Sequence, residues 1–146
     1  MADYNVELSQ LHRWVWQDEL GLPATIDEYG WVDFGSTDLG ELCIMLREYS
    51  PEGLTLSVKF FTDDTLSSTD LLRICNNVNR LEDAKLTVNE AHGVVRAELS
   101  LLLGEKGRIP SEALLRGIIG PAIEKIVQAM EEFTKELQKL TDSQTP

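Results

Sequence analysis

The sequence predicts an α+β domain, with helices packed against an antiparallel sheet in the order α-β-β-β-α-β-β-α. Three observations lead there. Residues 54–61 and 94–102 alternate apolar and polar side chains with period two. Apolar residues at three- and four-residue spacing mark helices before, between and after the strand segments. The tight connections between neighbouring strand segments leave no room for a parallel crossover, so the pairing is antiparallel.

The first helix covers about residues 5–19, where Leu8, Leu11 and Val15 fall on one stripe and Tyr4 continues it backwards. Gly21 and Pro23 end it. Trp14 and Trp16 lie on opposite flanks of the stripe, because successive helical residues are about 100° apart. One flat contact does not easily bury both.

Strand segments follow at 31–34, 39–48 and 54–61, the last two separated by a turn carrying Pro51 and Gly53. In the third, Leu54, Leu56, Val58 and Phe60 share one face, opposite Thr55, Ser57 and Lys59. Phe61 then falls on the polar side. The second is apolar on both faces, with Leu42, Ile44 and Leu46 alternating with Cys43 and Met45.

Ser67 caps the next helix, whose Leu71, Ile74, Cys75, Val78 and Leu81 keep helical spacing. A hairpin of residues 84–89 and 94–102 turns at 90–93, where Gly93 supplies a positive φ. Ser111 caps a long final helix. Its seam of Ile119, Ile123, Ile126, Met130, Phe133, Leu137 and Leu140 alternates four- and three-residue steps, a heptad pattern. Pro121, after Gly120, is expected to kink or split this helix. Residues 1–140 read as a single domain and 141–146 as a polar tail.

At 146 residues with 42% apolar content, the chain is large enough for a core without disulfides or metal. Thirteen Lys and Arg against twenty-five Asp and Glu give a net charge of −12. Such a field repels phosphate backbones and anionic head groups, and the cations are scattered singly, so neither nucleic acid nor membrane is an expected partner. The N-terminus shows no basic segment followed by an apolar run, which points to the cytoplasm and to reduced Cys43 and Cys75.

Catalytic patterns are missing from the sequence. His12 and His92 have no second ligand at metal spacing and read as solvated or capping residues. No serine sits in a nucleophile elbow, and the glycine loops 35–40 and 104–107 match no phosphate-binding fingerprint. The acidic residues Asp63, Asp64 and Asp70 lack the EF-hand pattern and complement a helix N-terminus. The expectation is a non-enzymatic protein without cofactor. Excess apolar surface at Trp14, Trp16, Cys43, Met45 and Phe61 makes these the expected partner-binding residues. A loop at 22–29 folding over them is the competing expectation. The heptad seam and the two-sided strand together suggest a homodimer.

Several strings resemble YbjN-type domains, which share the type III secretion chaperone-like fold. They are Leu71-Leu72-Arg73-Ile74-Cys75-Asn76-Asn77-Val78-Asn79, the hairpin 84–102, and Ile109-Pro110-Ser111-Glu112-Ala113-Leu114. Asn76 and Asn79 are similar to the family's helix that ends in Asn before the hairpin. The resemblance spans about residues 31–133 and implies an acidic, dimeric, non-enzymatic protein that holds partner polypeptides. Family members are also labelled sensory transduction regulators. Two functions are therefore expected: a chaperone-like or regulatory adaptor binding an unidentified partner protein, or a small-molecule-sensing regulatory domain with a pocket between sheet and helices.

Overall fold

A computed structural model describes residues 4–47, 49–63, 65–89 and 91–144. The expected strand end at 48, the aspartate at 64, the start of the hairpin loop at 90 and the tail residues 145–146 lie outside them. The elements are α1 (Val6–Leu20), β1 (Thr25–Ile26), β2 (Val32–Thr37), β3 (Gly40–Leu46), β4 (Gly53–Thr62), α2 (Ser68–Leu81), β5 (Lys85–Asn89), β6 (Val94–Leu102) and α3 (Glu112–Gln144). This is the expected order with one two-residue strand added. The six strands form one antiparallel sheet in the order β1-β2-β3-β4-β6-β5.

Each helix begins where a side chain can satisfy an orphan N–H. Asn5 Oδ1 accepts from the Leu8 N–H, Ser67 Oγ from Asp70 and Ser111 Oγ from Leu114, each at 3.1 Å. Gly21 closes α1 in the left-handed conformation, φ 67°. All three helices lie against one sheet face: α1 on β1 and β2, α3 on β4 and β6, and α2 on β5. The core fills the space between, with Leu42, Ile44, Leu54, Leu56, Val58, Ala97 and Leu99 from strands meeting Leu115, Ile119, Ala122, Ile126 and Phe133 of α3.

The heptad seam is spent within the chain, since Ile119, Ile126 and Phe133 are buried and Ile123, Met130 and Leu137 pack around them. It is a cover stripe on a sheet. Pro121 does not split α3, which runs unbroken through it. The lost hydrogen bond is outweighed by burial of Leu115, Ile119, Ala122 and Ile126 on either side. The helix also continues through Thr141 to Gln144, into the segment expected as a tail, because nothing in that sequence breaks a helix before Pro146.

Two β-bulges decide where side chains point. Between β4 and β6 the register slips at Phe60, so Lys59 pairs with Arg96 but Phe61 pairs with Val95. Phe61 is thereby turned to the core face. Between β2 and β3 a second slip falls at Phe34, next to Gly35 at φ 66°.

At the far edge of the sheet, Asn79 occupies the backbone of β5. Its Nδ2 donates to the Leu86 carbonyl at 3.0 Å and its Oδ1 accepts from the Leu86 N–H at 2.6 Å. The amide thus takes the place of a neighbouring strand. Lys85 reciprocates by donating to the Asn79 and Glu82 carbonyls at the end of α2. Replacing Asn79 by Ala strands both groups of Leu86, a half-buried site. The expected loss is about 1–3 kcal/mol in urea unfolding, a drop that an unchanged midpoint would disprove.

Candidate partner-binding surface

Helix α1 organises one edge of the sheet. The Gln17 side chain accepts from the Ala24 N–H at 2.9 Å, and the Arg13 Nε donates to the Ala24 carbonyl at 2.9 Å. With its backbone taken by α1, Ala24 does not join the sheet, and β1 is limited to Thr25 and Ile26, paired with Asp33 and Val32. Beyond Asp33, β2 has no outer strand among the described residues. The Asp33 carboxylate accepts from the Gly35 N–H at 2.8 Å, which leaves the end of β2, Ser36 and Thr37, as open edge.

Beside that edge runs a groove of about 450 Å³, lined by Leu20, Leu22, Leu39, Leu42 and Ile123 with Ser36, Thr37 and Asp38. The lining is mainly apolar, with the Asp38 carboxylate in the wall. Glu19, next to Leu20 in the chain, shares Arg116 with Asp18 and Glu112 at 2.6–2.9 Å. The hydrogen bonds of Arg116 to these carboxylates, Glu19 foremost, hold the guanidinium charged.

The five expected binding residues do not form one surface. Trp14 is 53% exposed on α1, with the Arg116 guanidinium 5.2 Å from its ring centroid. Trp16 is fully buried, which removes it from any surface: its indole N–H donates to His12 Nδ1 at 3.1 Å. Trp16 thus belongs to the core, while Trp14 stays open. Cys43 and Met45 are half-buried on the helix-free sheet face, flanking Thr55 and Ser57 of β4. Phe61 is on the opposite face, its ring 4.9 Å from that of Phe133, because the bulge at Phe60 reversed it.

The titratable groups are held in unreactive forms. Burial, and then the Asp33 and Asp27 carboxylates, push the Cys43 thiol up to about 12, and burial pushes Cys75 to about 11. Both cysteines are free, as expected. His12 is wholly buried rather than solvated, and burial lowers its pKa to about 4. Its Nδ1 accepts from Trp16, so the neutral ring carries its proton on Nε2, which has no partner among the described residues. Among the described residues, no cluster of three metal-ligating side chains occurs.

The open edge of β2 and its groove were not anticipated. The sequence put Gly35 in a loop after a strand ending at Phe34, whereas β2 runs on to Thr37 with a bulge beside Gly35. No protein family matches the chain, and no curated protein matches it in sequence. Among solved structures, a chain of the HopA1–SchA chaperone–effector complex superposes with TM-score 0.56 at 16% identity, covering 87% of this chain and 95% of that one. The likeness establishes a shared fold, the secretion chaperone-like arrangement expected from the sequence.

Three substitutions separate these roles. Trp16→Gln is expected to cost about 3–5 kcal/mol, as loss of a core aromatic does, and Trp14→Gln less than about 1 kcal/mol. Equal effects in thermal unfolding would contradict the assignment. For His12 the folded pKa, about 4, lies below the unfolded 6.5, so the unfolded chain binds the proton first as pH falls. Its contribution is complete above pH 6.5 and lost on descent toward 4. His12→Gln keeps an acceptor for Trp16 and should flatten that decline by on the order of 3 kcal/mol. Parallel stability–pH curves for the two proteins would refute it.

Proposed function

We propose that this chain holds partner polypeptides, as a chaperone-like protein or regulatory adaptor, by seating an extended segment along the open end of β2. The single observation that carries the reading is that edge itself: unpaired backbone next to an apolar groove of about 450 Å³. A segment added as a strand bonds the outward-facing backbone groups at the end of β2, while alternate side chains enter between Leu22, Leu39 and Ile123. The carboxylates around the groove favour segments that carry Lys or Arg at the outward positions. The other edge is unsuited, because Asn79 already bonds both groups of Leu86.

Other features support the same reading. The thiols of Cys43 and Cys75 are held protonated, which is poor preparation for nucleophilic chemistry. Among the described residues no helix is long and apolar enough to cross a membrane. A solved structure that shares this fold is a chaperone–effector complex. In this reading the protein acts in the cytoplasm as a homodimer, without catalysis or cofactor. The small-molecule-sensing alternative draws on the groove volume, which falls in the range of ligand sites. Its continuity with a strand edge fits a chain better than a compact ligand.

Affinity capture from the native cell, with the wild type and two variants, tests the proposal. Leu22 is 39% exposed, so Leu22→Glu should fold normally and lose the retained polypeptide. Met45→Glu, on the helix-free face, should keep it. Retention by Leu22→Glu and loss with Met45→Glu would move the site to the opposite face of the sheet.

A further inference from the structure

Helix α1 turns one strip of side chains outward. Gln10, Arg13, Trp14 and Gln17 share that strip and line a groove of about 290 Å³. Trp14 is its apolar platform, an indole 53% exposed. The ring is braced from one side, because the Arg116 guanidinium stacks over it at 5.2 Å and is itself held by Asp18, Glu19 and Glu112. A large apolar surface is thus preset in water, with its other side free for a ligand.

The polar groups beside the ring are donors. Gln17 uses its acceptor on the Ala24 N–H, and Arg13 uses Nε on the Ala24 carbonyl. What remains on both is N–H, at Gln17 Nε2 and at the Arg13 Nη atoms. Gln10 adds a second carboxamide, and no carboxylate is in the lining among the described residues. Carboxylates lie on the other side of the indole. Glu7 and Asp18 are about 20° and 40° round the helix from Trp14 in one direction, Gln10 and Gln17 about 40° and 60° in the other.

This arrangement selects among occupants. An added strand needs an unpaired edge, and the middle of a helix offers none. An amphipathic helix needs an apolar trough, whereas here the apolar surface is a single ring. Nucleic acid is repelled by the net charge of −12. A polyproline II segment fits on each count. Its prolines are apolar rings without N–H, its carbonyls make no internal bonds and stand ready as acceptors, and it is ordered before it binds.

We infer that the outer face of α1 is a docking site for a proline-rich segment that carries Lys or Arg beside its prolines. A proline ring packs on Trp14, neighbouring carbonyls accept from Gln10, Arg13 or Gln17, and the cation turns toward Glu7 and Asp18. The site is separate from the edge of β2 and does not rest on the holding role.

Titration calorimetry of the full chain with a short capped peptide of Pro and Leu, bearing an Arg beside a proline, is expected to show saturable binding. The same peptide with Ala in place of each Pro keeps the charge but loses the preset conformation, and should bind about tenfold more weakly. Exchanging its Arg for Glu should also weaken binding, more at low salt than at high salt. Trp14→Gln, a variant expected to stay folded, should bind the parent peptide about 30-fold more weakly. Gln10→Glu, at an exposed position, should weaken it about fivefold. Three results would each overturn the site: no saturable binding, equal affinity for the Pro and Ala peptides, or undiminished binding by Trp14→Gln. Leu22→Glu should bind the peptide as the wild type does, and a loss there would move the peptide to the groove beside β2. Binding at Trp14 by a chain that captures no polypeptide leaves this site standing while removing the holding role.

Discussion

A single helix cannot cover a six-stranded sheet, and the rest of the structure follows from that shortage. Strands about 4.8 Å apart make a sheet roughly 24 Å across, whereas a helix with its side chains is about 10–12 Å wide. α3 takes the centre, over β4 and β6, anchored where the Phe133 ring meets Phe60 edge-on at 5.2 Å and Phe61 at 4.9 Å. α1 covers β1 and β2, and α2 covers β5. Two opposite corners of the helical face are left bare, one at the turn between β2 and β3 and one at the end of β6. Both become grooves, and both adjoin strand edges that lack an outer partner.

The two corners differ in their walls. One carries Asp38 and suits a foreign segment with basic residues. The other is an apolar helix flank that ends at Lys125, which is paired with Asp83. That exposed ion pair contributes little stability by itself.

Edge management explains much of the remaining polar detail. Asn79 closes β5 with one side-chain amide, and the Asp33 carboxylate closes the N–H of Gly35 on β2. Gln17 and Arg13 withdraw Ala24 from the sheet, which keeps β1 short. These contacts limit where another chain can pair, a recurrent need for exposed strands. The helix-free face needs no such device, because small Thr55 and Ser57 in the central strand lie between the side chains of neighbouring strands.

By itself the sequence determined the fold class, the element order, the Ser67 and Ser111 helix caps and the free state of both cysteines. These depend on local periodicity, on side chains that cap within three residues, and on composition. Tertiary structure alone decided which side chains reach the surface. Phe61 alternates outward by counting, yet a one-residue bulge reverses it, and bulges arise from pairing between strands far apart in sequence. Trp14 and Trp16 are equivalent by angle about α1. What separates them is that His12 accepts the indole N–H of Trp16 in the core, while Trp14 on the other flank stays 53% exposed beside Arg116. The two grooves were hidden for the same reason: an uncovered corner belongs to the placement of three helices on one sheet, and no segment of the chain encodes it alone.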